Sequence, residues 1–290
     1  MKKSIISVIT LLSASLFAQG VPELYSAPVK KAQVGAIEMA YKVFGSGAPL
    51  LMIAGYGSPL ESWDPYVVSA LSKEFTVIVF DNRGIGRSTT SDEAPSIELF
   101  AKDAADLVRT IGFEKVSLVG WSMGGYIAQE FALNYPELTD KLVLLSTSCG
   151  GDESVPPSDE AVSMLQNMGD PQVLLKVLFP ADWTLAHPEV AARFTAASGQ
   201  DGAGDQNQRG IADQYVAVGN WSGTCERLKS IESDTMIIAG TEDIILPVKN
   251  SLILAEAIEG SWLVRLKDGG HGAIYQFPER IADLLITFLK

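Results

Sequence analysis

The stretch Gly120-Trp121-Ser122-Met123-Gly124 sets a serine between glycines placed two residues to either side. An apolar strand over residues 116–119 precedes it, and a helical pattern over 123–134 follows. A strand that turns directly into a helix holds its central residue on a strained corner, hydroxyl exposed above the sheet. The flanking glycines leave room for the crossing backbone, and Gly125 extends that close packing. A serine hydroxyl is a weak nucleophile at neutral pH. It needs a base, a group that orients the base, and donors for the oxyanion that forms.

His187 and His271 are the only histidines in the chain. His271 lies in Asp268-Gly269-Gly270-His271-Gly272-Ala273, directly after the last expected strand, and is the candidate base. His187 precedes Pro188 and reads as a helix start with a structural role. For the orienting acid, Gly240-Thr241-Glu242-Asp243 follows a strand, and Asp243 is the candidate. Glu242 is expected in solvent, Asp152 is the rival acid, and Asp268 is expected to point away from the histidine. The oxyanion requires backbone N–H groups rather than particular side chains. The Met123 amide, at the start of the motif helix, is one candidate donor, favoured by the helix dipole. The Tyr56 amide in Gly55-Tyr56-Gly57 is the other, with a plain turn as the alternative reading of that loop.

These residues need a scaffold that gathers them. Strands are expected at 34–44 (the return arm of an opening hairpin), 50–54, 75–80, 116–119, 141–146, 235–239 and 262–266, with helices at 65–72, 96–111, 123–134, 248–258 and 274–289. Strands alternating with helices imply a mostly parallel sheet covered on both faces. Ligands of such sheets bind outside the carboxyl ends of the strands, where the loops after Ala54, Phe80, Gly120, Ser146, Gly240 and Leu266 lie. The rhythm breaks from Cys149 to about Thr224, a block too long for a plain loop. The expected organisation is therefore a core of 31–148 and 225–290 with an inserted cap at 149–224. Tyr56, Trp121, Met123, Ile244, Ile245 and Leu246 lie in loops at the active edge and make an apolar pocket the expectation. Met164, Leu165, Leu178, Phe179 and Trp183 are candidate roof residues, or simple packing.

The first residues stand apart. Lys2 and Lys3, an apolar run over 5–18 and then Pro22 read as a secretory signal peptide over 1–20, with cleavage after Ala18 or Gly20. An uncleaved anchor is the alternative. The expected location is periplasmic or secreted, without stable membrane association after cleavage. The net charge of −13, which loss of Lys2 and Lys3 takes to −15, leaves no basic stripe for phosphates and excludes nucleic acid as the expected partner. Hydrophobic residues make up 47 % and charged residues 20 %, the balance of a folded chain. Two cysteines and two histidines at scattered spacings fit no metal pattern. Cys149 and Cys225 fall at the two roots of the cap. Two buried thiols are the expectation, and a disulfide stapling the roots is the alternative that an oxidising compartment permits.

Over residues 31–290 the chain resembles the α/β-hydrolase superfamily, the cap matching only loosely. The elbow serine, Asp243 and His271 follow the family's order of nucleophile, acid and histidine. Asp81-Asn82-Arg83-Gly84-Ile85-Gly86-Arg87-Ser88 resembles its D-x-R-G-x-G-x-S turn, read as structural. Ala54-Gly55 stands where the family often has His-Gly, which removes a side-chain hydrogen bond that steadies the oxyanion loop. The resemblance implies an α/β fold with an eight-stranded, mostly parallel sheet and a mainly helical cap. A serine nucleophile aligns the chain with the esterases, lactonases, aminopeptidases and C–C bond hydrolases. The resemblance implies hydrolysis of a small or medium hydrophobic ester or lactone, with no metal or organic cofactor. A cofactor-free perhydrolase of the haloperoxidase type, a C–C hydrolase or an aminopeptidase using the same triad, and a small-ligand sensor with little turnover, are the alternatives. The expected partner is a small-molecule substrate, and the oligomeric state is left open.

Overall fold

The computed structural model describes residues 27–290 except 166, 168, 169, 191, 193 and 195–204. The expected signal peptide lies outside the described residues. β1 (Lys30–Val34) and β2 (Ile37–Phe44) form an antiparallel hairpin whose turn holds Gly35 at φ +53°. Val34 pairs with Ile37, so residue 34 ends the outgoing strand rather than opening the return one. β3 (Ala48–Ile53), β4 (Phe75–Phe80), β5 (Val116–Trp121), β6 (Thr139–Leu145), β7 (Asp234–Gly240) and β8 (Trp262–Leu266) complete one sheet in the order β1-β2-β4-β3-β5-β6-β7-β8. Every pairing from β4 to β8 across that order is parallel.

The central strands are apolar runs because both of their faces are covered. Leu51, Ile53, Leu118, Leu142 and Ile237 point to one face, where α2 (Ile97–Thr110) and α3 (Met123–Asn134) pack. Their neighbours Leu50, Met52, Val119, Val143 and Met236 point to the other, under α1 (Pro65–Leu71) and α10 (Pro278–Leu289). The period-two alternation of a strand builds both layers from consecutive residues. Ser96 caps α2 by accepting a hydrogen bond from the Leu99 amide at 3.1 Å. The helix expected over 274–289 is two pieces, α9 (Ala273–Gln276) and α10. Pro278 opens the second, since it lacks the N–H that would continue the first.

Between β6 and β7 lie α4 (Asp159–Leu165), α5 (Pro171–Leu178), α6 (Ala181–Ala186) and α7 (Asp205–Asn220). Helix α8 (Lys249–Ala257) follows β7. Cys149 and Cys225 form a disulfide across the base of this insertion, so the expectation of two thiols does not hold. The parallel neighbours β6 and β7 bring the two roots together, and the Thr224 amide donates to the Cys149 carbonyl at 2.7 Å. No helix among the described residues is long and apolar enough to cross a membrane.

Candidate active site

Ser122 is the hinge between β5 and α3, with φ 57° and ψ −123°. A non-glycine residue held there stores about 1–3 kcal/mol of backbone strain, which surrounding contacts must sustain. Three hydrogen bonds do so. The Ser122 amide donates to the Leu145 carbonyl at 3.0 Å, while its own carbonyl accepts from the Gly125 amide and the Thr147 hydroxyl, both at 2.8 Å. Close approach explains the glycines of the motif. A Cβ at Gly120 would overlap the Gly124 carbonyl, and one at Gly124 would overlap the Ile53 carbonyl.

The loop after β8 brings His271 to this corner. Its Nε2 stands 2.9 Å from Ser122 Oγ, and its Nδ1 stands 2.8 Å from Asp243 Oδ2. An ionised carboxylate only accepts, so Nδ1 carries the proton and Nε2 presents a lone pair to the serine hydroxyl. Asp243 is buried, and its Oδ1 accepts from the Ile245 and Leu246 amides at 2.9 and 2.8 Å. Those two bonds hold Oδ1 and turn Oδ2 toward the imidazole. The histidine loop is braced as well. Trp121 Nε1 donates to the His271 carbonyl at 3.1 Å, and Gln276 accepts from the Gly270 amide at 2.7 Å. The Gly272 amide donates to the Leu178 carbonyl of the insertion at 2.8 Å.

Met123 is the first residue of α3, where helical amides lack internal partners. Tyr56 follows Gly55, which lies against the nucleophile: a Cβ there would stand 3.7 Å from Ser122 Oγ. Neither the Tyr56 nor the Met123 amide has a hydrogen-bond partner among the described residues. The Tyr56 loop is held from two sides. Asn82 Nδ2 donates to the Ala54 carbonyl at 3.4 Å, a support the sequence did not reveal. From α7, Gln214 Oε1 accepts from the Gly57 amide at 2.7 Å, and the Tyr56 hydroxyl donates to the Ile211 carbonyl at 3.2 Å. Burial pushes the Tyr56 phenol above its ordinary range, with a smaller push from Tyr215.

The other residues singled out from sequence fall as follows. Trp121 is buried between Trp63 and His271, with each ring centroid 6.1 Å from its own, and it braces the histidine loop from below. Ile245 and Leu246 are buried against Ala161 and Val177, with Met164 and Leu165 alongside, whereas Ile244 is exposed. Phe179 packs on Trp183 and Phe194, and its ring covers the place a side chain at Gly272 would take. His187 stacks on Trp183 with centroids 4.3 Å apart and shares a hydrogen bond with the Trp183 carbonyl, far in role from the triad geometry. Asp152, Glu242 and Asp268 are exposed. In the turn after β4, Asp81 accepts from the Leu60 and Arg87 amides at 2.7 and 2.9 Å, while Arg83 makes a two-pronged pair with buried Asp103 at 2.7 Å. Burial lifts the Asp81 carboxyl to about 6 against the lowering effect of those amides. Thr147, Gln276 and Gln214 support the site and were not found from sequence. Thr147 and Gln214 carry no spacing signal because each acts on a distant segment, and Gln276 acts only once its own loop has folded back on it.

Ser122, His271 and Asp243 thus form one hydrogen-bonded line at the carboxyl ends of β5, β8 and β7. That line can move a proton off a serine hydroxyl. The sequence profile described as alpha/beta hydrolase fold matches residues 48–172. Among solved structures, an alpha/beta hydrolase fold protein from Chitinophaga pinensis superposes with a TM-score of 0.80 at 23 % identity, covering 91 % of this chain and 98 % of its own. A thermophilic esterase from Thermogutta terrifontis superposes with a TM-score of 0.76 at 26 % identity, covering 91 % and 98 %. Among sequences, RutD of Agrobacterium fabrum, named for carbamate hydrolysis, is 30 % identical over 247 residues, covering 83 % of this chain and 92 % of RutD. Identity at that level, sustained along nearly the whole relative, reaches well past the matched segment: the chain belongs to the α/β-hydrolase fold family.

Proposed function

We propose that the protein is an exported serine hydrolase that cleaves a small or medium hydrophobic carboxylic ester or lactone. The observation that carries this reading is the 2.9 Å contact of Ser122 Oγ with His271 Nε2, continued at 2.8 Å from Nδ1 to Asp243. As Ser122 Oγ attacks the carbonyl carbon, Nε2 takes its proton and Asp243 stabilises the imidazolium. The Tyr56 and Met123 amides bind the oxyanion. Collapse expels the alcohol, which receives the proton from Nε2, and leaves an acyl group on Ser122. Water, deprotonated by the same nitrogen, then attacks the acyl carbon and releases the acid and the free serine. Residues 149–224 act as the cap over the triad. The apolar side chains Leu178 and Phe179, which pack on the histidine loop at Gly272, support a hydrophobic substrate.

Hydrolysis of p-nitrophenyl butyrate tests the reading. Ser122→Ala should lower kcat by at least about 10⁴-fold, and a rate within tenfold of the parent would refute the nucleophile. Likeness to RutD favours a second reading, a carbamate as substrate, whose carbonyl the same residues would attack. A panel of butyrate esters, γ-lactones and N-alkyl carbamates separates the two by kcat/KM. Export rests on the leader-like residues 1–20 and on the Cys149–Cys225 disulfide, a bond suited to an oxidising compartment. Recovery of a chain beginning near residue 19 or 21 from the periplasmic fraction is the expected result. A full-length cytosolic chain would overturn it.

A further inference from the structure

Helix α7 docks on the loops that follow β3 and β4. Gly210 meets the Gly84 backbone, Gln214 and Ala217 are buried, and just beyond the helix Trp221 stacks on Tyr126, its ring centroid 4.5 Å away. Tyr126 lies one turn beyond Ser122 on α3. The Gln214 carboxamide lies against the Gly55–Gly57 loop, one residue along from the Tyr56 amide. Its orientation is set, because Oε1 accepts from the Gly57 amide at 2.7 Å and Nε2 must face the other way. Gln214 is completely buried, yet Nε2 has no hydrogen-bond partner among the described residues. Buried polar groups are nearly always paired, so an unmet donor held on the loop that carries the Tyr56 amide calls for a partner.

We propose that Gln214 is a specificity residue: Nε2 donates to an acceptor oxygen on the substrate, distinct from the oxygen of the scissile carbonyl. The site would then favour esters or lactones that carry a second oxygen near the ester group over plain alkyl esters. Such a substrate satisfies the amide, whereas a hydrocarbon chain in the same place leaves it unpaired. This deepens the hydrolase reading above and rests on it.

Two isosteric substrate pairs test the proposal in the mature enzyme. p-Nitrophenyl methoxyacetate against butyrate replaces a methylene by oxygen on the acyl side, and 2-methoxyethyl butyrate against butyl butyrate does so on the alcohol side. The ratio of kcat/KM within each pair is compared between the parent and Gln214→Met, with Gln214→Leu as a second variant. Intrinsic reactivity and the folded fraction cancel in that comparison. The expected result is a drop of about tenfold in the oxygen preference of one pair, the worth of one hydrogen bond, with the other pair unchanged. The pair that responds identifies the side of the ester that Nε2 reads. Ratios unchanged for both pairs in both variants would overturn the proposal and leave Gln214 as a brace for Gly57. Failure of the hydrolase reading gives a different result, namely turnover of these esters that survives Ser122→Ala.

Discussion

Asp243→Asn should disable the enzyme while leaving its fold intact, and the structure dictates how. Asp243 Oδ1 accepts from the Ile245 and Leu246 amides at 2.9 and 2.8 Å, and Oδ2 accepts from His271 Nδ1 at 2.8 Å. An asparagine must keep its oxygen on the two amides, because an NH₂ group there would oppose two donors. Its Nδ2 then donates toward Nδ1, which must become the acceptor. The imidazole proton moves to Nε2 and faces the Ser122 hydroxyl, so the lone pair that receives the serine proton is gone. A wrong tautomer of this kind lowers kcat by about 10⁴, equivalent to about 5.5 kcal/mol of transition-state stabilisation. KM for p-nitrophenyl butyrate should change less than threefold, because no substrate contact is altered. The two retained amide bonds should keep the thermal midpoint close to that of the parent. Stopped-flow and steady-state hydrolysis, read beside a calorimetric scan, check all three. A fall in kcat of less than about tenfold with an unchanged midpoint would refute the reasoning, since it would show that Asp243 does not set the tautomer.

Other perturbations bear on the supports of the site. Thr147→Val removes the donor to the Ser122 carbonyl and should destabilise the fold by about 1 kcal/mol in urea titrations, with a several-fold loss of kcat from a looser elbow. Replacing both Cys149 and Cys225 by serine opens a link across 76 positions and should cost about 2–4 kcal/mol of stability, read as a lower urea midpoint. Asp81 carries a pH signature. Its folded value of about 6 lies above the ordinary 3.8, so the stability it contributes is fully present below about pH 4 and lost as pH rises through 6. The neutral variant Asp81→Asn should therefore gain on the parent by about 3 kcal/mol between pH 4 and pH 7, and a stability difference that does not vary with pH would contradict this.

The residues that line up in the site could be named from sequence because each sits at a strand end with its own local signal. Ser122 is marked by glycines that the crossing of β5 and α3 demands, His271 by a glycine-rich loop, and Asp243 by its place after a buried apolar run. The strands were legible for the same reason, since burial on both faces leaves continuous runs of Val, Ile and Leu. What escaped detection depends on contacts between distant segments. The hydroxyl of Thr147 is an ordinary residue in Ser146-Thr147-Ser148 until β6 lies beside β5. Gln214 belongs to a helix whose own sequence is largely polar, and only docking on Gly57 and Gly84 gives it a role. Trp121 read as a pocket residue because its neighbour is the nucleophile, but the alternation along β5 turns its ring into the layer beneath His271. The disulfide needed the pairing of β6 with β7, which places the two roots side by side.

The central claim is that Ser122 is the nucleophile and His271 its base. Incubation with a fluorophosphonate probe, followed by proteolysis and mass spectrometry, measures this directly. The account predicts a single adduct on the peptide that contains Ser122, formed rapidly in the parent and slowed by at least about 10³-fold in His271→Ala. An unlabelled protein, an adduct on another residue, or labelling of Ser122 at an equal rate without His271 would contradict it.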